Sequence, residues 1–458
     1  MPKRLSPTDS MFLVGETREV MFHVAGLMQF TPPPDAPRDY MRSLMDEVRA
    51  GIAAQYPWNV RLRTPNLLSN PTQTWIDDDK LDLEYHVRRS ALPSPGDERE
   101  LGILVSRLHS YPIDFHHAPW ECHLIEGLEG GRFAMYIKVH HSLVDGFSAM
   151  RLLNAALGTD ATDRDRPLFF GISPPARGPR PDSIDNKVRE VLGAVRKQYS
   201  ATKMVAKAIA KVTRREEEDL IAPGQAPKCI LNGRIGRNRR FATAKFPMPR
   251  IKALAKAGNA TINDIVLALS SAAIRKYLAE LDALPKESLI AMLPVAVRAN
   301  DDHHGGGNSV GAILATLATD VEDPAARLAA ITASTRKAKQ QLEGMSKNQI
   351  LSYSALLIAP AMVQMLPVIA GRVKPGFNVV ISNVPGPEQP LYFRGARLES
   401  TYPLSIPVHG QALNITCNSY AGQLCFGFTG CRDTLPRLQR MAVACTESLD
   451  DYERALGL

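Results

Sequence analysis

Two adjacent histidines, His140 and His141, stand ahead of Asp145 and Gly146 in the stretch His-His-Ser-Leu-Val-Asp-Gly. Histidine is the side chain that most readily gains and loses a proton near neutral pH, so a positioned imidazole suits general acid–base work. A lone histidine is most often a satisfied, partly buried residue. Two in tandem, with an aspartate and a glycine four and five residues past the second, point toward chemistry. The run before them, residues 132–139 (Arg-Phe-Ala-Met-Tyr-Ile-Lys-Val), is β-branched and aromatic and reads as a strand. Behind Asp145, a good N-cap residue, Phe147, Met150 and Leu153 fall at helical spacing. The histidines therefore sit at a strand's end, which holds a side chain more rigidly than a loop does.

Competing chemistries find little support. No serine or cysteine lies in a G-x-S-x-G setting. The six cysteines, Cys122, Cys229, Cys417, Cys425, Cys431 and Cys445, contain no C-x-x-C pair, which argues against a zinc ribbon. His303 and His304 lack helix-borne ligand spacing, and Gly305 to Gly307 lack the lysine of a phosphate loop. No metal is expected.

A chain of 458 residues is too long for one ordinary core, so two domains are expected. With 45% hydrophobic and 22% charged residues it is of the globular class. A formal charge of +8 suits a polyanionic partner, either a phosphorylated cofactor or an anionic membrane face. Nucleic acid is not expected, because no finger, RNP or helix-turn-helix signature occurs. The opening residues lack the apolar region of a signal peptide, so a reducing cytoplasmic location is expected.

The elements that must position the histidines can be followed along the chain. Residues 20–30 read as a strand, 39–55 as an amphipathic helix, 82–88 as a strand and 98–110 as a helix. Trp120, in Ala118-Pro119-Trp120, opens a hairpin whose second strand delivers the histidines, and it reads as a core anchor. Residues 167–181, rich in Pro and Gly, mark a linker, and 185–213 read as a basic amphipathic helix suited either to an anionic membrane face or to bracing two domains. Residues 214–240 read as mobile chain. The second domain then begins near Arg240. Thr261 caps a helix with Asp264 in the place of a capping-box acid, beside Asn263. A buried strand, 289–298, ends in Arg298. Residues 350–371 carry no charge but are interrupted by Pro360, Pro367 and Gln364, so a buried, kinked helix pair is expected rather than a membrane span. A strand over 377–387 holds Ser382 and Asn383 and breaks at Pro-Gly-Pro. A hairpin over 412–428 turns at Ala421-Gly422, and a helix over 435–456 closes the chain.

The heptapeptide resembles the HHxxxDG signature of chloramphenicol-acetyltransferase-like acyltransferases and condensation domains. The opening Leu-Ser-Pro-Thr-Asp-Ser-Met-Phe, the Asn263-Asp264 pair, the Pro294-Val-Ala-Val-Arg298 element and Asn383-Val-Pro-Gly-Pro387 narrow this. They are similar to elements of the bacterial wax ester synthase/diacylglycerol acyltransferase family.

The resemblance implies an α/β (α+β) fold of two chloramphenicol-acetyltransferase-like domains, each a mixed sheet covered by helices, with a tunnel at their interface. The domains would span 1–165 and 241–458, with 166–240 as linker. Acyl-CoA would be a co-substrate rather than a permanently bound cofactor. A long-chain alcohol or diacylglycerol would be the acceptor, and the protein would sit peripherally on a membrane or lipid droplet. His141 would act as general base and His140 would support it. Asp145, followed by Gly146, would be structural and pair with Arg298. Asn383, with Ser382 beside it, is the candidate for the oxyanion donor. Trp120, Asn263, Asp264 and Arg298 belong to structural motifs. The alternatives are a condensation-type enzyme using carrier-bound substrates and a non-catalytic lipid-binding protein.

Overall fold

The computed structural model of the chain describes residues 3–5, 7–50, 53–65, 73–144, 146–173, 221, 224–296, 310–365, 368, 369 and 371–458. In chain order the first strands are β1 (Lys3–Arg4), β2 (His23–Thr31), β3 (Val60–Leu62), β4 (Thr74–Asp77), β5 (Val87–Ala91), β6 (Trp120–Glu126) and β7 (Phe133–His140). There follow β8 (Arg239–Pro247), β9 (Ile290–Ala296), β10 (Val310–Thr316) and β11 (Val379–Val384). The last are β12 (Tyr392–Phe393), β13 (Ala396–Leu404), β14 (Leu413–Tyr420) and β15 (Gln423–Cys431). They form a small sheet, β1-β4-β3, and two six-stranded sheets, β12-β13-β2-β7-β6-β5 and β10-β9-β11-β14-β15-β8. Both large sheets are mixed: β5 runs parallel to β6, and β11 parallel to both β9 and β14.

Alternation along β7 explains why every residue in it is buried. Phe133, Met135, Ile137 and Val139 pack with Leu44, Met45, Val48, Leu152 and Leu153, which lie on the helices Tyr40–Ala50 and Gly146–Ala155. On the other face Ala134 and Tyr136 pack with Leu101, Leu104 and Val105 of the helix Glu98–His109. The second sheet is covered in the same way. The helices Ile262–Glu280 and Gln439–Leu456 pack on one face, and Tyr353, Leu357 and Ala361 of the helix Lys347–Gln364 join Ile290, Leu314 and Phe377 on the other.

The two halves share a sheet. β13, from far along the chain, pairs antiparallel with β2 from Arg397 opposite Thr31 to Leu404 opposite Ala25. It passes so close to β15 that a Cβ on Gly427 would lie 2.0 Å from the Pro403 carbonyl oxygen. A glycine is therefore required where the sheets meet.

Several elements differ from expectation. Residues 83–86 form a helical turn before β5, because the Asp82 side chain accepts from Glu84 N–H and caps it. The described part of 214–240 is packed chain, not mobile. Leu231 and Ile235 enter the core, and the Asn232 side-chain amide donates to the carbonyls of Phe377, Asn378 and Gly410. The apolar segment is a single helix through Pro360 rather than a buried pair among the described residues, and Leu356 and Met362 face solvent. The expected basic helix over 185–213 lies outside the described residues.

Candidate functional site

Backbone pairing fixes the histidines before any side chain is considered. His140 is the last residue of β7, directly opposite His23 of β2, and its N–H donates to the Pro119 carbonyl at 2.9 Å. His141 N–H donates to the Phe22 carbonyl at 2.8 Å, so the chain is held on both sides of the strand's end. Residues 141–144 then turn, and Gly146 begins the next helix with open space where a Cβ would stand.

The two rings have different surroundings. His140 is fully buried, with Phe115 edge-on at 5.0 Å between ring centroids. Its Nδ1 accepts from Ser142 N–H at 3.2 Å and lies 2.6 Å from Ser142 Oγ. An acceptor Nδ1 leaves the proton on Nε2, which donates to Glu16 Oε2 at 2.6 Å. The same carboxylate oxygen accepts from Phe22 N–H at 3.1 Å. Both nitrogens of His140 are thus committed to holding the turn. His141 is half-buried, its ring 4.3 Å from that of Phe12, which packs in turn on Phe22.

Beneath the histidines the inner face of the sheet carries a polar network. Lys138 is wholly buried and donates to the carbonyls of Leu108 and Tyr111, with Glu121 at 3.3 Å. Burial raises the Glu121 pKa, but the hydrogen bond to His123 and the charges of Lys138 and Arg88 outweigh it and hold the group down to about 2. His109 donates from Nε2 to the Ser405 carbonyl and accepts on Nδ1 from the Tyr136 hydroxyl, and burial lowers its pKa to about 3. Ser405 follows β13, so this bond joins the two halves of the chain. A second tie links Glu19 to His409 at 3.3 Å and to Arg234 at 3.0 Å, while Arg239 donates to the Glu19 carbonyl.

The C-terminal motifs converge elsewhere. Asp264 is buried, and its carboxylate is filled: Oδ2 accepts from Thr261 N–H and Oγ, and Oδ1 from Thr335 Oγ. The capping box therefore consumes the acid. Asn263, 120 residues before Asn383, accepts from the Asn383 side-chain amide at 2.7 Å. Both asparagines line a small cavity of about 50 Å³ with Leu267, Pro294, Thr335 and Ile381. Ile381 and Asn383 share one face of β11, so Ser382 points to the other, and the two candidate donors do not converge on one point. Gly386 in the Pro-Gly-Pro turn is a close-approach position, where a Cβ would meet the Ser419 carbonyl at 2.1 Å. Trp120 sits in the core: its indole N–H donates to the Trp58 carbonyl, and its ring stacks on His86 at 4.4 Å.

His141 does not line the small cavity that holds Asn263 and Asn383. Asp145 and Arg298 lie outside the described residues, so their expected pairing does too. Sequence reasoning missed Glu16, whose partner is 124 residues away, and the ties through Glu19 and His409. Among the described residues no group of three or more His, Cys, Asp or Glu could hold a metal ion. No described helix is long and apolar enough to cross a membrane.

Two mixed sheets, each covered by helices, with a histidine pair at a strand end, define a tandem chloramphenicol-acetyltransferase-like acyltransferase. The catalytic domain of the wax ester synthase/diacylglycerol acyltransferase family matches residues 5–266, and its C-terminal domain matches residues 306–453. A Mycobacterium tuberculosis (strain H37Rv) protein assigned as a diacylglycerol O-acyltransferase is 51% identical, covering 99% of this chain and 98% of that one. The O-acyltransferase WSD of Acinetobacter baylyi is 39% identical over 99% of this chain and 97% of its own. The solved wax ester synthase/diacylglycerol acyltransferase of Marinobacter aquaeolei VT8 superposes with a TM-score of 0.81 at 40% identity, each chain fully covered. A condensation domain of the calcium-dependent antibiotic synthetase, 16% identical with a TM-score of 0.59, shares the fold. The chain belongs to the wax ester synthase/diacylglycerol acyltransferase family, and it is an acyl-CoA-dependent acyltransferase.

Proposed function

We propose that the protein transfers a fatty acyl group from acyl-CoA to the hydroxyl of a long-chain alcohol, a diacylglycerol or both, with His141 as general base. An alcohol is a poor nucleophile, and its proton must leave as its oxygen attacks the thioester carbonyl. In this reading neutral His141 takes that proton, a C–O bond forms, and the tetrahedral intermediate collapses with loss of the C–S bond. The imidazolium then returns the proton to the departing thiolate. Attack is direct, since no serine or cysteine stands in an activating motif.

The observation that carries this reading is the contrast between the two rings. His140 has both nitrogens engaged by Ser142 and Glu16 in a buried turn, whereas His141 is half-buried at a backbone position anchored on Phe22. Rigid support beside a reachable imidazole is what proton transfer needs.

The test offers palmitoyl-CoA with hexadecanol and diacylglycerol in competition and analyses the esters formed. Wild-type protein should make wax ester, triacylglycerol or both. His141→Ala should lose about a hundredfold to ten-thousandfold in kcat with unchanged circular dichroism. A fully active His141→Ala would remove the imidazole from the mechanism, and absence of any ester would remove the substrate assignment.

A further inference from the structure

On the side of the molecule where the two halves meet along β8, a half-open cleft of about 830 Å³ runs between the helices Glu98–His109 and Gln439–Leu456. Its lining holds six arginines, Arg99, Arg107, Arg237, Arg239, Arg240 and Arg432, against one carboxylate, Glu98. Glu98 is already engaged by the Gln29 amide and lies 3.7 Å from Arg132. Arg239 is buried and spends its guanidinium on the carbonyls of Gly236 and Glu19. Arg432 meets Asp433 only at 3.8 Å. Arg99, Arg107, Arg237 and Arg240 form no ion pair among the described residues, and Arg240 is pressed below its ordinary pKa by burial and by Arg432. Like charges left unpaired around one concavity raise the local concentration of anions.

The same cleft is apolar in part. Ile103, Tyr111 and Val443 line it with 43%, 50% and 43% of their surfaces exposed, which a ligand of purely ionic character would leave wet. Guanidinium forks beside uncovered apolar side chains match an amphiphile with a phosphate at one end.

We propose that this cleft binds one anionic phospholipid, its phosphate among Arg99, Arg107, Arg237 and Arg240 and its acyl chain along Ile103, Tyr111 and Val443, docking the protein on a lipid surface. The proposal goes beyond acyl transfer and does not rest on it.

The test is cosedimentation of the full chain with vesicles of phosphatidylcholine, with and without phosphatidylglycerol. Wild-type protein should bind the phosphatidylglycerol vesicles and release as salt is raised. The exposed-residue variant R99Q/R107Q/R237Q should bind them roughly tenfold or more weakly. K80Q/K252Q/K256Q, which removes the same charge elsewhere, should bind as wild type. Equal binding by both variants, or an equal loss in both, would overturn the site. Displacement of the wild type from vesicles by soluble adenosine 3′,5′-bisphosphate would overturn the lipid assignment in favour of a nucleotide. Acyl transfer from palmitoyl-CoA in detergent is read in parallel. Its absence would sink the ester-synthesis reading and leave the vesicle result standing.

Discussion

Glu16 shows how much a single carboxylate can organise. One of its oxygens accepts from both His140 Nε2 and Phe22 N–H, so it ties the turn after β7 to the segment that follows the N-terminal helix. Glu16→Ala would leave two donors in a buried site without an acceptor. Each such group costs about 1–3 kcal/mol, so a loss of about 2–6 kcal/mol in urea unfolding is expected. Glu16→Gln keeps an acceptor oxygen of the same reach and should cost less than about 1 kcal/mol. Equal losses in the two variants would show that charge, rather than the acceptor, matters. Asn383 is open to a comparable test. If its amide stabilises the thioester oxyanion, Asn383→Ala should lower kcat about a hundredfold to a thousandfold while Asn263→Ala has a smaller effect. If it only tethers the helix Ile262–Glu280 to β11, both variants should fall alike, and a double-mutant cycle should show strong coupling. Of these residues, the histidine pair and Asn383 stand out in the sequence as candidates because each lies in a short local motif. Glu16 was not, since nothing in the spacing of residues 124 apart signals a contact.

At the scale of elements, local signals served well where the determinant is local. The capping box at Thr261 and Asp264 formed as read, and the hairpin of β6 and β7 begins at Trp120 and ends on the histidines. Two kinds of signal failed. The Asp82 cap outweighed the strand-forming residues after it, turning 83–86 into helix before β5. β13 was missed because a strand that completes another domain's sheet depends on what it pairs with, not on its own pattern. That crossing makes a sharp prediction. A Cβ on Gly427 would stand 2.0 Å from the Pro403 carbonyl, and neither backbone can yield without parting β13 from β15. Gly427→Ala should cost about 3 kcal/mol in urea unfolding, the upper end for overpacking. Gly26→Ala on β2 is the control, because its Cβ would meet only the Leu153 and Met150 side chains, at 3.7 and 4.0 Å. It should be neutral or slightly stabilising, as expected when glycine is replaced in a strand. Comparable losses in both would place the sensitivity in the strands generally rather than at the crossing.

The whole molecule carries a pH dependence that the sequence could not show, because eleven histidines in a chain say nothing of which will be buried. His23, His86 and His109 are all buried, and burial is the largest cause of their lowered pKa values, to about 4 for His86 and about 3 for His109. Unfolded, each would titrate near its ordinary value of 6.5. Protons therefore bind the unfolded chain first as pH falls. The contribution of these histidines is fully present above about 6.5 and is lost progressively below it. Each removes about 1 kcal/mol per pH unit below that point, so together they should give a slope of about 3–4 kcal/mol per unit near pH 5 to 6. Glu121 acts in a lower window. Its depressed pKa lends stability above the ordinary 4.5, and this is lost as pH falls toward about 2. The first losses on acidification thus come from imidazoles in the core, and the carboxylate joins later. The His109 bond to Ser405 spans the two halves, so the loosening should reach the shared sheet. Urea unfolding measured from roughly pH 8 to pH 5 reads this directly. His86→Phe keeps a ring against Trp120 and should remove about a third of the slope. Stability that stays flat across that range would mean these histidines do not titrate on unfolding. Activity lost with the same midpoint as the fold in mild acid would then report unfolding, whereas activity lost in protein still folded would have another cause.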